Sequence, residues 1–180
     1  LIVVLAVITG LVMSMLLGLQ PKEFLDLSVG PVLLPVLRLA ASFVGVFGFS
    51  LMFNSPVKIA ASAAVIGAIA NTFRLELVDL AGCHTAVAAF FGSLIAGLLA
   101  SLLMKWLGYP RISVTVPSIV IMVPGLYLYR GVYNLGIMSL DSSANWLVSA
   151  LRLILILPLG SIWALNIHDN SFPHLRLPTK

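Results

Sequence analysis

Runs of about 20 apolar residues, the length that crosses a bilayer, return along the whole of this chain. No other feature limits its possible folds as severely. In lipid every backbone N–H and C=O has to be satisfied within the protein, so a run of this kind is a helix. Six such runs are legible, at Leu1–Leu19, Val29–Phe53, Pro56–Phe73, Ala81–Leu107, Ser113–Met138 and Trp146–Ile167. The expected fold class is all-α: a polytopic transmembrane helical bundle of about six spans, one of them broken by proline. Composition agrees, since 61% of the 180 residues are hydrophobic and only 9% charged, at a mean hydropathy of +1.13. Soluble domains carry far more charge. The third run is the shortest, and a half-embedded segment is its alternative reading.

The formal charge of +4 is then a matter of topology, not a nucleic-acid footprint, and no nucleic-acid partner is expected. Lys58, Lys105, Arg111, Arg176 and Lys180 fall on one side of the six-span arrangement. Lys22, Arg74 and Arg152 fall on the other, with Glu23, Asp26, Glu76, Asp79 and Asp141. Loop Lys and Arg favour the cytoplasmic face, so both ends of the chain are expected inside the plasma membrane. The opening "LIVVLAVITG" lacks an initiator Met and a basic leader, and reads as the inside of a helix from something longer. The one cysteine, Cys83, forms no internal disulfide or metal cluster. No cofactor or metal is expected.

Polar residues at membrane depth are costly and tend to be functional. Arg38 lies well inside the second run, Asn54 at the junction "FNSP", Asn71 near the far end of the third run, and Arg130 behind the break in the fifth. His84 reads as interfacial, and Arg152 as a side chain that snorkels. That fifth run, "VTVPSIVIMVPGLYLYRG", holds Pro117, Pro124 and Gly125. Each proline denies the preceding turn one hydrogen bond. Broken backbone at this depth has to face protein or a wet cavity, where helix ends bind small polar solutes or ions. A solute site is therefore expected near Pro124–Gly125, with Arg130 as counter-charge to a carboxylate. Two plainer readings stand beside it. Prolines kink many membrane helices without binding anything, and Arg130 with Tyr127, Tyr129 and Tyr133 suits a headgroup interface. Asn54 and Pro56 read either as a helix start, cap then proline, or, for Asn54, as a ligand at a half-helix end. Glu76 and Asp79 more readily solvate a loop, and are the nearest titratable carboxylates if protons are coupled. Small residues recur every four positions: Gly10, Ser14, Gly18; Ala60, Ala64, Ala68; Ala88, Gly92, Ala96, Ala100. They suit tight helix contacts within a bundle or a homo-oligomer. There is no HExxH, GxSxG, P-loop or CxxC pair, so an enzyme is not expected.

The succession "FGFSLMFNSP" and then "VTVPSIVIMVPGLYLYRG" resembles the C-terminal membrane domain of the threonine/serine exporter family. There a Phe-Asn-x-Pro junction is followed some helices later by a proline-rich segment ending in Pro-Gly. The matching positions are Phe53, Asn54, Pro56, Pro117, Pro124 and Gly125. The resemblance implies three parts. Residues 1–19 are the last helix of a preceding membrane domain, 29–168 a five-helix exporter-type domain, and 169–180 a cytoplasmic tail. It also implies an upstream partner domain, fused or separate, and proton-driven antiport of threonine, serine or similar small amino acids out of the cytoplasm. Asn54, Pro117, Ser118, Pro124, Gly125 and Arg130 are the substrate-binding candidates, with Ser118 or Asn54 reading the hydroxyl, and Glu76 and Asp79 the proton-coupling ones; Arg130 stands among them on the cost of a charge at membrane depth, not on the resemblance. The alternatives are a non-transporting assembly subunit of a membrane complex and a channel for another small polar solute.

Overall fold

The computed structural model describes residues 9–10, 12–13, 16–18, 30, 32–107 and 110–171, with 104–107 and 168–171 described as backbone alone. Most of the first expected span, the polar break after it, and 172–180 of the expected tail lie outside the described residues. Within the first span, Thr9, Gly10, Val12, Met13 and Leu16 are helical. The described residues are otherwise all-helical: α1 Leu33–Met52, α2 Val57–Asp79, α3 Thr85–Leu107, α4 Ile112–Val120, α5 Gly125–Gly136 and α6 Leu140–Ser171. α1, α2, Thr85–Leu103 and Leu140–Ile167 are long and apolar enough to cross a membrane, and α4 with α5 makes a further, broken span if counted as one. The protein is a multi-pass membrane bundle.

Three boundaries differ from the sequence reading for identifiable reasons. α2 does not stop at Phe73. It runs to Asp79 because "RLELVD" is made of residues a helix accepts, and no Gly or Pro intervenes before Gly82, which takes φ +61°. The third span is thus a full 23-residue helix, not a half-embedded segment. α6 starts at Leu140, six residues before Trp146, with Asp141 in its first turn, where a carboxylate suits the helix dipole. The junction "FNSP" ends one helix before it starts the next. Asn54 is left-handed, φ 58°; its N–H bonds Leu51 O (2.9 Å), and the Ser55 N–H bonds Ser50 O (3.1 Å). That is a Schellman close, with Asn in the position usually held by Gly. Pro56 then caps α2 in extended geometry, φ −55°, ψ 143°.

Packing divides the chain into two compact units, Val29–Val123 with Arg152–Lys180 and Leu1–Ser28 with Pro124–Leu151. In the larger, α2 is the central helix and packs on α1, α3 and α4. Ala60, Ala63, Ala64, Gly67, Ala68 and Ala70 are all buried. Without a hydrophobic drive between helices in lipid, close backbone approach has to supply the contact energy, and small residues permit it. At Gly67 a Cβ would lie 2.7 Å from Val46 Cγ2 and 3.0 Å from Ser118 O, so α1, α2 and α4 meet there. α3 meets the later part of α6 in the same manner. A Cβ on Gly160 would fall 2.0 Å from Ser93 Oγ and 2.5 Å from Phe90 O, and one on Gly97 2.6 Å from Ala164 Cβ.

In the smaller unit α5 lies on the first turns of α6. Gly131 accommodates Leu147, whose Cδ2 is 2.7 Å from a Cβ built there, and Ser143 Oγ donates to Gly131 O (2.7 Å).

Candidate functional site: a polar seam between α1 and α2

Along α1, Arg38, Ser42, Val46 and Ser50 recur every four residues and so share one face. Ser42, Val46 and Ser50 are the buried residues of that helix. This face meets α2. Ser42 is the tenth of the 20 residues of α1, about 14 Å along its axis at 1.5 Å per residue, the middle of that helix. There Asn71 Nδ2 donates to Ser42 Oγ (2.8 Å, buried). Arg74 Nε donates to Asn71 Oδ1 (3.1 Å), which fixes the amide with its NH2 group toward α1.

One to two turns further along α2 the seam becomes ionic. Arg38 Nη1 donates to Glu76 Oε1 (2.8 Å) and Arg38 Nη2 to Asp79. Side-chain exposure rises outward, from 19% at Arg38 and 23% at Glu76 to 46% at Asp79. The cluster therefore sits at the rim of the bundle with the Asn71 layer beneath it. Thr72 occupies the same α2 stripe as Glu76 and Asp79, at spacings of four and seven. It is 9% exposed, and its Oγ1 is buried without a hydrogen-bond partner. Toward the other end, the Gly67–Val46–Ser118 contact closes the seam.

The first half of the broken span adjoins the same helices. Met122, just past α4, is buried. Its sulfur lies 3.3 Å, and Arg74 Cβ 3.1 Å, from the place a Cβ on Gly92 would take. Pro117 is buried inside α4. Ser118 is fully buried, its Oγ 3.0 Å from Ala63 O and 2.7 Å from Val114 O, so its one proton is shared between two carbonyls. Pro124 removes the donor that would have bonded Val120 O, and Val123 N–H takes that carbonyl instead at 3.0 Å. Gly125 opens α5 exposed to its surroundings. Arg130 stands over the Trp146 ring, 4.8 Å from Cζ to the centroid, and Tyr127 meets the same ring edge-on at 5.5 Å. A guanidinium on an indole face is a cation–π pair. Asn54 is exposed at the end of α1.

The candidates expected from the sequence thus fall in several places: Pro117 and Ser118 inside α4, Pro124 and Gly125 at the break, Arg130 against α6, and Asn54 at a helix turn. Glu76 and Asp79 are brought together, on Arg38. Ser42, Thr72 and Arg74 are the site residues that sequence reasoning passed over. The spacing of four from Arg38 to Ser42 was the available signal for one of them. Arg74 was hidden by ending the third span at Phe73, six residues short of the end of α2. Among the described residues no group of three or more His, Cys, Asp or Glu gathers as a metal site.

A bundle of membrane helices with a hydrogen-bonded polar layer between two of its spans and a proline-bearing half-span packed beside it has the form of a solute-handling membrane protein. Residues 38–166 match the family "Threonine/Serine exporter, ThrE", and the chain belongs to that family. It is also similar to an uncharacterized protein of Haemophilus influenzae, 29% identical over 89 residues, which is 49% of this chain and 29% of that protein. The match thus spans less than a third of that relative's length. No solved structure matches.

Proposed function

We propose that this chain is the membrane domain through which an exporter moves threonine, serine or a similar small hydroxy amino acid out of the cytoplasm, in exchange for protons entering. The observation that carries this reading is the Ser42–Asn71–Arg74 chain of hydrogen bonds between two spanning helices, in a member of this family. Polar side chains within apolar spans pair with one another and mark the paths of polar solutes. An amide, a hydroxyl and a guanidinium are the groups that recognise a carboxylate and a hydroxyl. Pro117 and Pro124 keep the fifth span in two halves. Gly125 begins the second half with first-turn N–H groups that have no partner within the helix. Arg130 adds a cation beyond it. Asn54 stands with Lys58 at the opposite end of the larger unit from the Arg38 cluster, and Ser118 holds α4 against α2. Glu76 and Asp79 are the carboxylates on which a proton returns. The setting is the plasma membrane, with the Lys58 and Arg111 end cytoplasmic, and the upstream exporter domain, fused or separate, completes the machine.

The test is efflux from cells loaded with a threonine-containing dipeptide. They carry the complete gene, the gene without residues 29–180, or an empty vector, at matched membrane levels. Export requires threonine efflux with the complete gene alone. Asn71→Leu, Pro124→Ala and Arg130→Gln are each expected to lower efflux with membrane abundance unchanged. For Asn71→Leu the fall is about tenfold, the loss of one hydrogen bond to a charged group of the solute. Equal efflux with and without residues 29–180, beside an active upstream part, would instead identify an assembly subunit. Efflux that survives a protonophore would identify a channel.

A further inference from the structure

The Arg38 cluster holds two carboxylates and one guanidinium. Its formal charge is therefore negative by one, between two membrane helices. Arg38 contacts each carboxylate through a different Nη, so neither carboxylate is engaged side-on and each keeps a second oxygen. Among the described residues, Arg38 is the ion-pair partner of both. Among the described residues no second cation balances this charge, and a partly desolvated negative charge favours a counter-cation. Directly beneath, Thr72 presents a buried hydroxyl that bonds nothing among the described residues, which is rare in native structures. Thr72 and Glu76 are one turn apart on α2, with Cβ atoms about 5–6 Å from each other by helical geometry. At that spacing one small group with several donors can reach both side chains. A primary ammonium has three donors on a compact charge.

We propose that the second oxygen of Glu76 and the hydroxyl of Thr72, with Asp79 as the other carboxylate on Arg38, form a subsite for the primary ammonium group of the exported solute, and that the proton and this ammonium compete for it. The proposal rests on the export reading for the identity of the solute and goes beyond it in assigning the subsite and the coupling. The ammonium enters the site in place of a proton on the Glu76 carboxylate. When a proton arrives, it adds to that carboxylate, the O···H–N contact is lost, and the solute leaves as the intact ammonium with its own three protons. One positive charge replaces another, so the site is neutralised in both states and never by both cations together. Exchange in opposite directions follows from that exclusion. The seam continues inward from Thr72 to its chain neighbour Asn71 and to Ser42, where the rest of a small amino acid would lie.

Among the described residues the charged surroundings of Glu76 are few. α1 contributes Arg38, and α2 contributes Asp79 and, on another face, Arg74, hydrogen-bonded to Asn71. Thr85–Leu103 of α3 and Ile112–Val120 of α4 carry no ionisable side chain. His84, just before α3, is exposed and its Nδ1 accepts from the Ala86 N–H.

The complete protein, purified in detergent and weakly buffered, is brought to a series of pH values while a pH dye follows released protons. Ethylammonium chloride, L-threonine and N-acetylthreonine are the probes. The expected result is saturable proton release by ethylammonium and by threonine, and none by N-acetylthreonine, which lacks the ammonium. Glu76→Gln and Asp79→Asn are each expected to abolish the release. Thr72→Val is expected to weaken ethylammonium about tenfold, the loss of one hydrogen bond to a charge, with Thr72→Ser restoring it. Asp79 is the most exposed of the three, so its variant tests the subsite even if Glu76→Gln does not fold. No release by ethylammonium from the native protein, equal release by N-acetylthreonine, or undiminished release from folded Asp79→Asn each overturns the proposal. Release by ethylammonium but not by threonine upholds the subsite and removes threonine as the cargo.

Discussion

Asn54 shows how one residue carries either structure or chemistry, and how the two are separated. Its backbone is left-handed, φ 58°, and it closes α1 through the two bonds to Leu51 O and Ser50 O. Left-handed backbone costs most L-residues about 1–2 kcal/mol, while Asn tolerates it and Gly adopts it freely. Asn54→Ala is therefore expected to lose about 1 kcal/mol of stability, and Asn54→Gly to lose nothing. Thermal unfolding in detergent reads the difference. Efflux then assigns the side chain. If Asn54→Gly exports normally, the amide serves the turn; if it is stable but inactive, the amide serves the solute. The sequence identified Asn54 as a special position, because Asn before Ser-Pro between two apolar runs marks a turn. It did not indicate which helix the turn served, since an N-cap and a left-handed C-terminal residue draw on the same amino acid.

At the scale of elements, the bundle depends on a few places where one helix lets another come close. Gly160 is the sharpest. A methyl group there would reach Ser93 Oγ at 2.0 Å and Phe90 O at 2.5 Å. The hydroxyl can rotate away, but the carbonyl belongs to the backbone of α3 and cannot move without the helix. Gly160→Ala is expected to cost about 1–3 kcal/mol, as overpacking does elsewhere, and Gly160→Val more. A lower melting temperature and loss of the monodisperse peak in detergent chromatography would record it. Gly10→Ala, with nothing within 4 Å of the added Cβ, is the control expected to show neither. Element lengths were legible where hydropathy changed sharply and were misread where it changed slowly. "RLELVD" and "LDSSAN" are polar enough to look like loops, yet the first ends α2 and the second opens α6. Hydropathy reports the lipid boundary, whereas helix ends are set by Gly, Pro and capping.

For the whole molecule the open quantity is orientation, and Cys83 supplies the means. It is the chain's one cysteine, partly exposed in the turn between α2 and α3, on the end of the bundle that carries Glu76 and Asp79. If the Lys58 and Arg111 end is cytoplasmic, a membrane-impermeant maleimide should label Cys83 on intact cells, and Cys83→Ser should remove the label from this domain. Labelling only after permeabilisation would reverse the topology, and with it the direction in which the ammonium subsite faces.

The class of this protein, the rough position of the spans among the described residues, the proline break and the family were all carried by the sequence itself. Each is a local property, a run length, a hydropathy or a short motif, and lipid enforces it segment by segment. The partnership of residues was not. Arg38 with Glu76 and Asp79 spans about forty positions, and Asn71 with Ser42 twenty-nine. Whether they meet depends on the rotation and register of α1 against α2. The close approach at Gly67, with Val46 on one side and Ser118 on the other, sets that register through packing between helices distant in sequence. A polar residue in an apolar run announces that it needs a partner. Only the packed bundle decides which one it has.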